Sequence, residues 1–257
     1  MPDITALLRN WWKQIFILIV LSLIAISAIN FFKPRQYLSV TTAVPASSFI
    51  ADKSKIFSEN VQELYSALGV ADDLDRIVGT AKLDTAYLAV TDQFNLYDHY
   101  QIKSGPGARG KAASWLKKNS RVMKSEYGEL KISVWDTDPQ LAPQLADAIM
   151  QQLNNIHSNL QNQENLNTLN AIKKTKEKLS AATDSANQTQ QLNKLEAEYQ
   201  LMIDSKPPAL LMVENAKASS CPDRPKWMKS LVTTAVLAFL IGLLLALFLE
   251  RRKNNRP

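Results

Sequence analysis

Cysteine and histidine are scarce in this 257-residue sequence. The single cysteine, Cys221, excludes an intramolecular disulfide and a zinc site built on several cysteines. The two histidines, His99 and His157, have no clear partner set for binding a metal. We expect His99 to be a sheet or surface histidine, and His157 to be solvated on a long polar helix. The sequence therefore predicts no metal and no cofactor.

The usual patterns of catalytic sites are also missing. There is no nucleophile elbow, metalloprotease helix or EF-hand pattern. Residues 105–112 come close to a phosphate-binding loop, but Ala112 stands where that loop needs Ser or Thr to hold magnesium. A glycosidase needs one carboxylic acid and one carboxylate as a pair, and the spacing of the acidic residues shows no such pair. We expect them to cap helices or to lie on solvated faces of helices: Asp72, Asp73, Asp75, Asp92 and Asp98. We expect no catalytic residue and no enzyme activity.

The loop at residues 105–112 is better read as a flexible basic loop before a helix. Four cations lie in it or shortly after it, and they offer contacts to an anionic glycan or a lipid phosphate: Arg109, Lys111, Lys117 and Lys118.

Charge is absent from two apolar runs, residues 15–32 and 230–249. As helices they reach about 27 and about 30 Å, roughly one hydrocarbon core each, so we expect two transmembrane helices. A cleaved signal peptide is the alternative for the first run, since Ala25-Ile26-Ser27 resembles a cleavage site. The run is longer than the apolar region of a signal, which favours an anchor.

Basic residues outside the two runs indicate the orientation. The head, residues 1–14, carries Arg9 and Lys13, and the tail, residues 250–257, carries four basic residues. Residues 33–229 hold 24 basic and 22 acidic residues, so the net charge reflects topology and not a nucleic-acid surface. The positive-inside rule predicts a bacterial inner-membrane protein with a cytoplasmic head and tail and a periplasmic domain over residues 33–229.

The first half of that domain predicts short elements. Alternating residues predict a strand over 37–44, ended by Pro45. Helical spacing predicts a helix with Phe57, Val61, Leu64 and Leu68. Asp72 and Asp84 are expected to cap the next two helices, the first of them ended by Gly79. A further short helix is marked by Ala112, Ala113 and Leu116. Residues 121–125 and 130–135 then read as a β-hairpin, with Leu130, Ile132 and Val134 facing inward.

The chain changes character at Asp138-Pro139, a cap with proline at the first helical position. Pro143 allows a short turn, and from there to residue 205 there is no glycine and no further proline. Residues at helical spacing predict a helical arm over about 139–205, with a turn at 183–189 and a seam that slips between Leu160 and Leu166. They are Ile149, Leu153, Ile156, Leu160, Leu166, Leu169, Ile172 and Leu179, then Leu192, Leu195, Tyr199 and Met202 on the returning helix.

A last strand over 209–214 returns toward the second apolar run and is expected to pair with the first strand. The predicted fold class is thus an α+β membrane protein. Two transmembrane helices flank a periplasmic α/β base with a protruding, coiled-coil-like arm.

Small residues recur every fourth position in the second apolar run: Thr234, Ala238, Gly242 and Ala246. Such a stripe lets helices approach closely, so we expect it to pack the two spans, within or between subunits.

The motifs resemble those of the Wzz-type polysaccharide chain-length determinants, also called polysaccharide co-polymerases. Residues 130–142 are similar to that family's strand followed by Asp-Pro-x-x-Ala, here Asp138, Pro139 and Ala142. Pro222 and Pro225 resemble its proline-rich approach to the second span, and residues 7–13 its entry to the first. The sequence departs from the family pattern in having fewer prolines there, Asp147 in place of an amide, and a short arm.

The resemblance implies a homo-oligomer that sets the length of O-antigen, capsule or exopolysaccharide. Such a protein acts on the growing lipid-linked glycan with a membrane polymerase and has no catalytic centre. Some relatives carry a kinase after the second span, and the eight-residue tail leads us to expect none here. A polysaccharide export-complex subunit, a periplasmic-domain receptor and a tethered enzyme are the alternatives. The last two are disfavoured, since the short ends leave little to receive a signal and no catalytic constellation is present.

Overall fold

The computed structural model describes residues 4–46, 71–103, 105–180 and 186–254 of the chain. Within them it has eight helices and four strands, and the chain divides into two compact units, Met1–Tyr37 with Ser220–Pro257, and Leu38–Ser219. The elements in chain order are α1 (Ile4–Phe32), β1 (Tyr37–Pro45), α2 (Ala71–Thr80), α3 (Thr85–Gln93), α4 (Leu96–His99), α5 (Ala108–Lys118), β2 (Ser120–Lys124), β3 (Leu130–Asp136), α6 (Leu141–Ser180), α7 (Ala186–Ser205), β4 (Leu210–Glu214) and α8 (Trp227–Asn254).

The first unit pairs the two apolar helices. Trp11–Phe32 of α1 and Trp227–Glu250 of α8 are long and apolar enough to cross a membrane, and they contain the two runs expected to do so. The helices pack on each other around the buried Ile15 and Ala246. Most of their remaining large apolar side chains are exposed, as suits helices whose surroundings are lipid.

A four-stranded sheet in the order β2-β3-β1-β4 organises the second unit. β2 and β3 form the expected antiparallel hairpin, with Val122 opposite Ile132. β1 and β4 are antiparallel, with Ala43 opposite Met212, so the predicted pairing of the first and last strands is confirmed. The α+β class predicted for the chain is confirmed as well.

The core of this unit forms where helices cover one face of β3. Alternate β3 residues Leu130, Ile132 and Val134 are fully buried, as their spacing predicts. They join one hydrophobic cluster with residues of α3, α5 and the first turns of α6, among them Leu116 and Ile149.

The helix α6 is 40 residues long. The 20-residue α7 follows it in the chain and packs against it in the opposite direction. At 1.5 Å per residue α6 is about 60 Å long. A small cluster of Leu169, Tyr199 and Met202 joins the two helices. Leu160 and Leu166 are 53% and 39% exposed, which agrees with the slip of the apolar seam between them.

Several sequence expectations are wrong in detail at helix ends. Asp72 lies inside α2, which continues to Thr80, and Asp84 precedes α3 but makes no capping hydrogen bond with its side chain. The carboxylate of Asp84 instead accepts from Lys117 Nζ at 2.7 Å, because the ammonium is a stronger partner than a backbone amide.

The start and turn of the long helices also differ from expectation. Pro139 lies in a turn before α6 and not at its first position, and Pro143 lies inside the first turn of α6. Proline is tolerated there because its missing N–H has no partner within the helix. Residues 186–189 of the predicted turn belong to α7, and 183–185 lie outside the described residues. The helix predicted around Phe57, Val61, Leu64 and Leu68 also lies outside them.

Candidate functional site

The junction between β3 and α6 carries the Asp138-Pro139 motif, and hydrogen bonds define its path. Oδ1 of Asp136, the last residue of β3, accepts from the backbone N–H of Asp138 at 2.9 Å. Oδ1 of Asp138 accepts from the N–H of Gln140 at 2.8 Å. The N–H of Ala142, which is 1% exposed, donates to the carbonyl of Asp138 at 3.1 Å. These residues therefore set the direction in which α6 leaves the sheet.

Asp136 is also held from the side by two aromatic residues. Nε2 of His99 lies 2.8 Å from Oδ1 of Asp136, whose side chain is 2% exposed. The Tyr100 hydroxyl lies 3.4 Å from Oδ2. Burial raises the pKa of Tyr100 strongly, and the Asp136 charge adds to it, so the phenol keeps its proton. His99 is not a sheet histidine as one of the two expectations had it: it lies on the one-turn helix α4, with its side chain 23% exposed, and tertiary folding brings it to the end of β3.

The polar face of α6 binds the returning chain, which sequence reasoning missed. Oδ1 of Asn154 accepts from the backbone N–H groups of Ala209 and Leu210, both at 2.9 Å. Oγ of Ser158 accepts from Ala209 N–H at 3.1 Å. Oδ1 of Asp147 accepts from the N–H of Ala216 at 2.9 Å. α6 thus holds the chain just before and just after β4.

The expectation that His157 is solvated is also wrong. His157 is 8% exposed, and its Nε2 is buried with no hydrogen-bond partner among the described residues. Burial lowers the pKa of His157, and the charge of Arg76 lowers it further, so the imidazole is neutral at pH 7. The polar helix pattern did not show this because the helices packed on α6 decide which of its faces is covered.

In the first unit, the proline-containing segment before α8 binds the residue that follows α1. The Gln36 carbonyl accepts from the N–H groups of Asp223 and Arg224 at 2.9 and 3.2 Å. The Gln36 N–H donates to the Arg224 carbonyl at 3.1 Å. Asp223 and Arg224 lie between Pro222 and Pro225 in the sequence. These backbone hydrogen bonds therefore connect the segment that follows α1 to the segment that precedes α8.

The small residues of α8 lie on its less exposed side. Ala238 and Ala246 are 5% and 2% exposed, and Thr234 is half-buried. A Cβ added at Gly242 would lie 3.2 Å from Cγ2 of Ile15. Beyond Ala246, Trp11 Nε1 donates to Glu250 Oε2 at 2.7 Å.

Two of the four cations near residues 105–118 are ion-paired within the base. Arg109 binds both carboxylate oxygens of Asp92 through Nε and Nη2, at 2.6–3.0 Å, and this holds the pKa of Asp92 below its usual range. Lys117 pairs with Asp84. This leaves Lys111 and Lys118 as the members of the predicted anion-binding set for which the described residues supply no ion pair.

The described residues hold no group of three or more His, Cys, Asp and Glu side chains placed to bind a metal ion. Cys221 is exposed. Asp75 and Asp98 contact Lys124 and Asn95 respectively.

Comparison with known proteins finds solved structures to which this chain is similar. The sequence matches no family model and no curated protein. A full-length bacterial polysaccharide co-polymerase is 13% identical with a TM-score of 0.43, covering 100% of this chain and 99% of that one. A fragment of WzzB, a polysaccharide co-polymerase from Salmonella Typhimurium, is 12% identical with a TM-score of 0.32, covering 74% and 100%. Both scores lie below 0.5, so neither likeness assigns a family or a function.

Proposed function

We propose that this protein regulates the chain length of a bacterial surface polysaccharide, whether O-antigen, capsule or exopolysaccharide. It acts as a non-catalytic, homo-oligomeric scaffold in the inner membrane, together with a polymerase that extends a lipid-linked glycan. Its partners are therefore other copies of the chain, the polymerase and the growing glycan, and not nucleic acid.

One structural observation carries the proposal. The first and last strands of the base, β1 and β4, pair side by side. In the part of the chain between these two strands, the turn at Asp138 leads from the sheet into the 40-residue helix α6, and α7 returns along it. Asn154 and Asp147 then hold the returning chain on α6. This layout joins the two span-linked ends of the domain and devotes the middle of the chain to a helical arm. A surface of that kind suits scaffolding of a long polymer.

The topology belongs to the same proposal. Residues 1–14 and 250–257 are cytoplasmic, 15–32 and 230–249 cross the inner membrane, and 33–229 form the periplasmic domain, with its arm over about 139–205. The two apolar helices and the distribution of basic residues support this arrangement.

The test is deletion of the gene followed by gel electrophoresis of the surface polysaccharide. We expect the modal length to disappear while polymer is still made, and plasmid-borne wild-type protein to restore it. Loss of all surface polymer, with precursor retained, would instead support the export-subunit alternative. An unchanged length distribution would contradict the proposal.

A further inference from the structure

Trp115 is an exposed tryptophan in the base of the second unit. Its neighbours in α5, Ala112, Ala113 and Leu116, are buried, whereas the indole is 57% exposed. The Tyr100 ring lies beside it, with centroids 6.2 Å apart and planes at 31°. The Tyr100 hydroxyl is in turn next to the buried Asp136. The indole therefore rests against a fixed ring with much of its surface open to solvent.

An open groove of about 520 Å³ begins at this indole. Trp115 and Ile102 supply apolar surface, and Ser114, Lys111 and Asp84 supply a hydroxyl, an ammonium and a carboxylate. Gly107 and Gly110 expose backbone there, and a Cβ added at either meets no atom within 4 Å. The groove thus combines one aromatic face with donors and acceptors of hydrogen bonds.

These are the features that recognise a sugar ring. One face of a pyranose presents C–H groups, which are attracted to the negative face of an indole. The hydroxyl groups around the ring need both donors and acceptors. Lys111 only donates, the Asp84 carboxylate only accepts, and Ser114 does both. A lipid tail would find too little apolar surface here, and an inorganic anion would not use the indole.

We propose that this groove is a saccharide subsite in which a pyranose ring stacks on Trp115 and its hydroxyl groups bind Lys111, Ser114 and Asp84. The inference rests on the proposed function for the source of the sugar, which is the polysaccharide whose length the protein regulates. It places the subsite on the base and not on the helical arm.

Titration calorimetry on the full chain in detergent tests the subsite. The probe is the set of oligosaccharides released by mild acid from the surface polysaccharide of the strain that carries the gene. We expect Trp115→Ala to weaken binding by about tenfold or more, the scale of one lost aromatic stacking contact, and Trp115→Phe to weaken it less.

A second pair of variants separates binding from folding. Gly110→Met fills the groove from α5 and replaces glycine by a better helix former, so it should abolish binding without lowering the thermal midpoint. Gly79→Met is its matched control on α2, where a Cβ also meets no atom within 4 Å, and it should leave binding unchanged.

Three outcomes would overturn the subsite: no heat of binding to wild-type protein, equal affinity of the wild type and Trp115→Ala, or equal affinity of Gly110→Met and Gly79→Met. If the second of these outcomes came with a change of oligomer mass in Trp115→Ala, Trp115 would be a contact between copies. The gene-deletion experiment is scored separately, so loss of length control without sugar binding would reject the subsite alone.

Discussion

The hydrogen bonds from Asn154 to the returning chain offer the sharpest test of how the arm is joined to the base. The Asn154→Ala substitution removes the oxygen that accepts from both Ala209 and Leu210 at 2.9 Å. Ser158 still accepts from Ala209, so the main loss falls on Leu210, which is 5% exposed. A neutral hydrogen bond contributes about 1 kcal/mol, and a buried donor left unpaired costs about 1–3 kcal/mol. We therefore expect a loss of about 2 kcal/mol in the free energy of unfolding.

For a domain of this size, 2 kcal/mol corresponds to a fall of roughly 4–8 °C in the thermal midpoint. Hydrogen exchange followed by mass spectrometry gives the local readout, since the amides of Ala209 and Leu210 should exchange faster while those of β3 are unchanged. Asn155→Ala is the matched control, because Asn155 is the next residue of α6 and is exposed. Asn154→Asp keeps an acceptor and should retain most of the protection. Equal midpoints and equal exchange for Asn154→Ala and Asn155→Ala would refute the reasoning.

Three further changes test other parts of the structure. Gly242→Leu adds side-chain atoms where a Cβ alone would already lie 3.2 Å from Ile15, so overpacking should cost about 1–3 kcal/mol in the free energy of unfolding. The thermal midpoint and the oligomer size in detergent should both fall. No change in either would mean that Gly242 does not pack the two apolar helices together. Burial depresses the pKa of His157 below that of the unfolded chain, so the unfolded chain binds the extra proton first and stability should fall as the pH drops below about 6.5. His157→Gln should reduce that fall in the thermal midpoint, and an identical pH dependence in the variant would contradict the assignment. Asp136→Ala removes the acceptor of Asp138 N–H and the partner of His99; it should lower the midpoint and shift the polysaccharide length, whereas Thr137→Ala, next to it in the turn, should do neither.

The sequence correctly predicted those helices and strands in which the spacing of apolar residues along the element decides which of them are buried. The alternation of Leu130, Ile132 and Val134 placed β3 correctly, because one face of that strand is covered by helices. The absence of glycine and proline between Pro143 and residue 205 likewise indicated long helices, since little in that stretch of sequence interrupts them. The pairing of β1 with β4 followed from the expectation that both strands lie next to an apolar span in sequence.

The contacts of polar side chains could not be predicted in the same way. Asn154 and Asn155 look alike on a polar helix, yet one binds two backbone amides and the other is exposed. His157 is buried only because other elements cover that face of α6. Asp84 has the position of a helix cap, but Lys117, 33 residues later, takes its carboxylate. Each of these depends on which elements meet, which spacing along one helix does not reveal.

The groove at Trp115 also could not be predicted from the sequence, because it depends on which elements meet in the fold. The sequence shows a basic loop before a helix, and attention falls on its cations. Folding pairs Arg109 with Asp92 and Lys117 with Asp84, and it brings Tyr100 from α4's end against the indole. The aromatic side chain, and not the total charge, is what distinguishes this surface once the chain is folded.

The most direct test of the central claim is the length distribution of the surface polysaccharide in a strain that lacks the gene and carries one of two plasmids. One encodes the full chain. The other encodes a chain in which a short turn replaces residues 176–196, which keeps the Leu169, Tyr199 and Met202 cluster. We predict that the full chain restores a defined modal length and that the shortened arm gives a different distribution at equal protein level. The same distribution in the deletion strain and both complemented strains would contradict the claim that this protein regulates polysaccharide length.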